Sequence, residues 1–200
     1  RYLDNTFKIT IIPHDIKETL QRRKDKNKKD SNIYKTFSFL CEDFVTSCSA
    51  VSDDTFLVGL KNGKLIKGNI KEINGDINNI DDMKIKITYE KCIQAHQGSI
   101  NVIEIDYRLG IIITGGEDNY IYIRKLYDLE LLLPIKISDK YIITMAKISP
   151  MNLLYVLCFK KTNQHSILFG YTLSGIRFAK SEFGYFTNID FTISGNIVSL

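Results

Sequence analysis

The side chains able to do chemistry are few and scattered. His14, His96 and His165 stand alone, and no H-x-x-x-H or Cys/His cluster supplies the closely spaced ligands that a metal needs. Asp53-Asp54 and Asp81-Asp82 are adjacent pairs in polar stretches. Neighbouring carboxylates on a turn point apart into water, so they do not make an acid/base dyad. No serine sits in a G-x-S-x-G elbow, and "TGGEDN" leads into a strand, whereas a phosphate cradle leads from a strand into a helix. Cys41, Cys48, Cys92 and Cys158 lie far apart, in or beside apolar runs, and read as buried free thiols of a reducing compartment. These residues predict no catalytic centre, no metal and no cofactor.

The charge that might recruit a partner is local. Lys+Arg exceed Asp+Glu by 27 to 23, and the segment from Asp15 to Asp30 accounts for most of the surplus. Its Arg22, Arg23, Lys24, Lys26, Lys28 and Lys29 form the one strong charge run. Such a run can attract anionic lipid headgroups weakly, or it can keep an inserted loop solvated. Aromatic residues do not interleave with it to stack bases, so nucleic acid is not an expected partner. No stretch of about 18 apolar residues suggests a membrane span.

What positions the polar residues is a repeated pattern. Setting "LDNTFKIT" under "EDNYIYIR" aligns Asp4-Asn5 with Asp118-Asn119, and Asn62-Gly63 of "GLKNGKLIKG" takes the same place between them. Upstream, "FVTSCSAVSDDTFLVG", "SINVIEIDYRLGIIITG" and "IITMAKISPMNLLYVLCF" share one grammar of apolar strand, polar turn and second apolar strand. Tight turns built on Asp, Asn and Gly, with Ile and Val alternating between them, specify antiparallel meanders. Four short strands per unit, recurring without helices, describe β-propeller blades. The expected fold is all-β, a partial β-propeller with about four blades represented out of a ring of about seven. Its blade units are read at 1–12, 33–70, 83–126, 127–173 and 174–200, with inserted loops at 13–32 and 71–82. Both chain ends fall inside units, and both are read as cuts.

The unit around Ala95 to Leu126 resembles the WD repeat. His96 precedes the first strand, Thr114 lies late in the second and Asp118 is in the tight turn, with Asp4 and Asn62 at equivalent turns. The repeat's Trp is missing, its aligned positions holding Thr10, Gly68, Arg124 and Gly170. Apolar packing between sheets must therefore carry more of the stability.

The phrases "LDNTFKI", "FVTSCSAVSDDTFLVGLKNGKL", "AHQGSINVIEIDYRLGIIITGGEDNYIYIRKLYDLELL" and "FGYTLSGIRFA", in that order, resemble the C-terminal propeller of BEACH-domain proteins of the neurobeachin and lysosomal trafficking regulator type. Lys- and Asn-rich insertions such as "KDKNKKDSN" add a compositional hint of a protist genome. The resemblance implies a cytoplasmic protein-interaction scaffold in vesicle traffic, adjoined by BEACH and pleckstrin-homology-like domains of the same polypeptide. It names no individual partner. Two alternatives fit the same residues: a WD-repeat subunit of another assembly, or an accessory propeller of an enzyme whose active site lies outside this chain. The compact turns at Glu42, Asp43, Asn62, His96, Gln97, Asp118, Asn119, Asp139 and Lys140 gather on one face, which is the expected partner site.

If the basic run acts at all, deleting Arg22 to Lys29 should abolish a weak, salt-sensitive binding to anionic liposomes while leaving the strands folded. Unchanged co-sedimentation after the deletion would reduce the run to a solvated loop.

Overall fold

A computed structural model describes residues 5–11, 35–74, 84–162 and 165–199. Asp4 and the basic run Arg22 to Lys29 lie outside the described residues. Sixteen strands and no helix are described. Three antiparallel four-stranded sheets form the centre. One holds β3 (Val45–Ala50), β4 (Thr55–Leu60), β5 (Lys64–Asn74) and β6 (Lys84–Gln94). The next holds β7 (Ile100–Asp106), β8 (Ile111–Gly116), β9 (Tyr120–Lys125) and β10 (Leu131–Lys136). The third holds β11 (Tyr141–Ile148), β12 (Leu153–Lys160), β13 (Ser166–Thr172) and β14 (Arg177–Glu182). Two-stranded sheets flank them: β1 (Thr6–Ile11) with β2 (Lys35–Leu40), and β15 (Ile189–Phe191) with β16 (Ile197–Ser199).

Each four-stranded sheet is a meander in which sequence neighbours pair. The first strands β3, β7, β11 and β15 then lie side by side, so the sheets are arranged around a common axis as propeller blades are. Two boundaries read from the sequence need correction. Strand β5 continues to Asn74, into the segment read as an inserted loop at 71–82. The repeat units and the sheets are also offset by one strand, because β6 opens the unit at 83–126 yet pairs with β5 of the preceding sheet.

Burial explains why the sheets stack. Strand β8 is buried along its whole length, as are β4 and β13 but for one terminal residue of each. A strand covered on both faces reads as a continuous apolar run and gains little from alternation. One core, around Val102, Ile113, Ile121, Ile143, Val156 and Phe169, lies between the second and third sheets. Another, around Leu57, Leu65, Ile100 and Ile112, lies between the first and second. Phe7, Phe39 and Phe56 join the β1–β2 pair to the first sheet, Phe7 lying 5.1 Å from Phe56 between ring centroids.

The first strands carry matching irregularities. Register shifts fall between Val45 and Ser47, Ile100 and Val102, and Ile143 and Met145, leaving Thr46, Asn101 and Thr144 at the bulges. Thr46 and Asn101 tie blades together, whereas Thr144 donates to Leu157 O within its own sheet. The hydroxyls of Thr46 and Ser47 each donate to Ile100 O at 2.7 Å, and Asn101 Nδ2 donates to Ile143 O at 3.3 Å.

The four cysteines are free thiols, but only Cys41 and Cys158 are buried, which corrects the expectation for Cys48 and Cys92. Those two sit on β3 and β6, the first and last strands of their sheet, where cover is incomplete. Burial pushes the Cys158 thiol up to about 12.

Ile113→Ala, in the doubly covered β8, should cost about 2–5 kcal/mol in urea unfolding. Ile193→Ala, at a side chain 99 % exposed, should stay within about 0.5 kcal/mol. Comparable losses at the two positions would contradict this assignment of the core.

Candidate interaction face

The residues leading into β7 gather a connected set of polar groups. Ala95 and His96 both donate their backbone N–H to Gly63 O at 3.0 Å, which hooks the loop entering the second sheet onto the β4–β5 turn of the first. Gly63 has a φ of 84°, and a Cβ there would run into the His96 carbonyl, so only glycine suits this turn. Gln94 Nε2 reinforces the hook by donating to Asn62 O at 2.7 Å and to His96 O at 2.8 Å.

His96 itself points inward, its side chain wholly buried. Its Nδ1 lies 2.9 Å from Asp118 Oδ1 and its Nε2 lies 2.8 Å from Thr114 Oγ1. A carboxylate can only accept, so Nδ1 carries the proton and Nε2 accepts from the threonine hydroxyl. Asp118 also accepts from the backbone N–H of Gln97 at 3.0 Å and of Tyr120 at 3.2 Å. The β8–β9 turn is thereby welded to the loop before β7, and Asn119 takes a φ of 64° within it. Burial holds the His96 imidazole below the usual histidine range, with the Asp118 hydrogen bond working against that shift. The residue is a neutral structural linker.

Arg124, at the place of the missing Trp, completes the arrangement. It is buried, donates from Nη1 to Leu129 O at 3.3 Å and from Nη2 to Ala95 O at 3.2 Å, and lies 5.3 Å from the Tyr122 ring centroid. The other two described blades solve the problem differently. At Gly68 the space of a Cβ is filled by the ring of Phe56, and at Gly170 by the ring of Phe178. A neighbouring strand thus supplies the aromatic bulk that the third strand lacks.

The residues of the sequence-read face sit on the β2–β3, β4–β5, β6–β7, β8–β9 and β10–β11 connections. Glu42 pairs with Lys64 at 2.7 Å, and Asp43 Oδ1 accepts from its neighbour Phe44 N at 2.8 Å. The backbone of Asn119 accepts from Ile137 N at 2.8 Å, and that of Lys140 from Lys161 N at 3.1 Å. Glu42, Asn62, Gln97, Asp139 and Lys140 are exposed, Asp43 and Asn119 are half-buried, and the His96 and Asp118 side chains are buried. The face therefore presents pinned backbone with solvent-facing side chains. Among the described residues no group of three His, Cys, Asp or Glu could hold a metal ion. Sequence reasoning missed Gln94, Arg124 and the bulge residues Thr46, Asn101 and Thr144. For Asn101 and Thr144 the signal was a polar side chain between apolar neighbours in a strand.

Comparison with known proteins agrees on architecture. The chain resembles the WD40 β-propeller domain of Doa1, with a TM-score of 0.59 at 10% identity, over 83% of this chain and 53% of that one. It thus spans about half the length of that structure. A computationally designed protein, Ika4, gives a TM-score of 0.55 at 12% identity, over 80% of this chain and 91% of that one. No protein-family profile and no curated protein sequence matches. The fold is a partial WD40-type β-propeller.

Because the folded imidazole titrates below its unfolded value of about 6.5, the neutral His96 linker stabilises the fold fully above that value. The contribution should fall away as the pH drops from about 6.5 through the folded value. Denaturation midpoints at pH 7.5 and 5.5 should therefore differ less in His96→Gln than in the unsubstituted chain. An equal drop in both would place the acid sensitivity elsewhere.

Proposed function

We propose that this propeller segment is a non-catalytic interaction scaffold whose partner sits on the face of compact turns from Glu42 to Lys140. The observation that carries the reading is the pinning of the turns around His96 and Asp118. Ala95, His96, Gln97 and Glu117 each hold a loop N–H in a hydrogen bond of 2.9 to 3.0 Å, so the exposed side chains between them stand on backbone already fixed. A surface ordered before binding loses little conformational freedom on docking, which is where much of the cost of association lies.

The resemblance of the sequence to the propellers of BEACH-domain proteins makes vesicle and membrane traffic the process we favour, with BEACH and pleckstrin-homology-like domains in the same polypeptide. The full open reading frame tests that part directly, since a catalytic domain in place of a BEACH domain would favour an accessory propeller of an enzyme. Weak membrane contact through Arg22 to Lys29 would add to docking without replacing it.

Gln97→Arg combined with Asp139→Arg changes two exposed side chains and leaves the linking hydrogen bonds in place. Quantitative affinity capture from cell extract should lose its specific partners by about tenfold or more, with the melting temperature unchanged. A partner set identical to that of the unsubstituted protein would move the docking site off this face. Turnover of a substrate, abolished by substituting a residue of this chain, would overturn the non-catalytic reading.

A further inference from the structure

A second site lies at the far end of the first strands, about 20 Å along the sheet from the compact turns. There β7, β11 and β15 border an open cleft of about 510 Å³. Its charged residues are unequally satisfied. Asp106 accepts from Arg108 Nη2 at 2.8 Å and from the backbone N–H of Arg108 and Leu109. Asp190 accepts from Lys147 Nζ at 3.3 Å and from Phe191 N at 2.9 Å. Glu104, half-buried between them, accepts no hydrogen bond from any described residue, and among the described residues no cation lies within ion-pair distance of it. Burial holds its carboxyl above the usual range; Lys147 opposes the shift, and Asp190 and Asp106 add to it.

A partly desolvated carboxylate without a partner is costly, and a cation entering the cleft removes that cost. The rest of the lining suits a cation on an apolar stem. Ile105 and Ile148 add apolar surface to the lining, and Tyr107 and Phe191 add aromatic rings. The volume exceeds that of one side chain, which leaves room for the residues on either side of it. We infer that this cleft binds a lysine or arginine side chain of a partner polypeptide, with Glu104 as the anchoring carboxylate. The site is separate from the compact-turn face, so failure of either leaves the other standing.

The test is fluorescence anisotropy on the full chain with three capped, fluorescein-labelled heptapeptides, alanine throughout except for a central arginine, lysine or norleucine. A basic peptide should bind about tenfold tighter than the norleucine peptide. Glu104→Gln should erase that difference, and Asp53→Asn, the same charge change on an exposed turn, should preserve it. Lys147→Gln removes the cation that shares the cleft and should tighten the basic peptide, which keeps the assignment testable should Glu104→Gln unfold. Equal affinity for the norleucine peptide, or a preference that survives Glu104→Gln, overturns the proposal. Free agmatine binding as tightly as the arginine peptide would overturn the polypeptide assignment in favour of a small amine.

Discussion

Everything in this molecule depends on covering both faces of its middle strands. Strands β4, β8 and β13 are buried nearly end to end, and no four-stranded sheet can do that alone. Each sheet needs a neighbour on either side, and a radial stack of sheets provides one. The outer strands show the converse: β14 is exposed at all but one position, and β6 carries the polar surface of its sheet. Hydrophobic cover sets the architecture, and the polar groups then fix how the sheets are turned relative to one another.

That second task falls on a small number of hydrogen bonds at strand ends. Thr46, Ser47 and Asn101 bridge first strands from blade to blade, and Gly63 holds the loop that enters the second sheet. His96 and Asp118 then close that loop onto the next turn. Buried polar groups must be paired, so a neutral histidine between a carboxylate and a hydroxyl is stable only in one arrangement. The two ends of the strands differ in consequence. One carries fixed turns with exposed side chains, and the other carries a cleft whose Glu104 carboxylate has no partner among the described residues.

Much of this was legible in the chain. The turn pairs Asn62-Gly63 and Asp118-Asn119 announced equivalent positions, and Gly63 and Asn119 both adopt positive φ. His96, Thr114 and Asp118 could be matched to the WD repeat, and they do meet. The absence of Trp was visible too, but not its remedies, because Phe56 and Phe178 fill the space from other strands and that depends on pairing register. Cys48 and Cys92 misled because an apolar neighbourhood in sequence does not say whether a strand is central or peripheral. Glu104 gave no sign at all, since its isolation arises only when β7, β11 and β15 converge.

Hydrogen exchange of the turn amides bears most directly on the idea of a preformed interaction face. If stacking and linking act together, the N–H groups of Ala95, His96, Gln97 and Glu117 open only when the sheets do, and should exchange about as slowly as those of β8. Exchange of these four at ordinary loop rates while β8 remains protected would mean that the face is not held ready for a partner, and the scaffold reading would lose its physical basis.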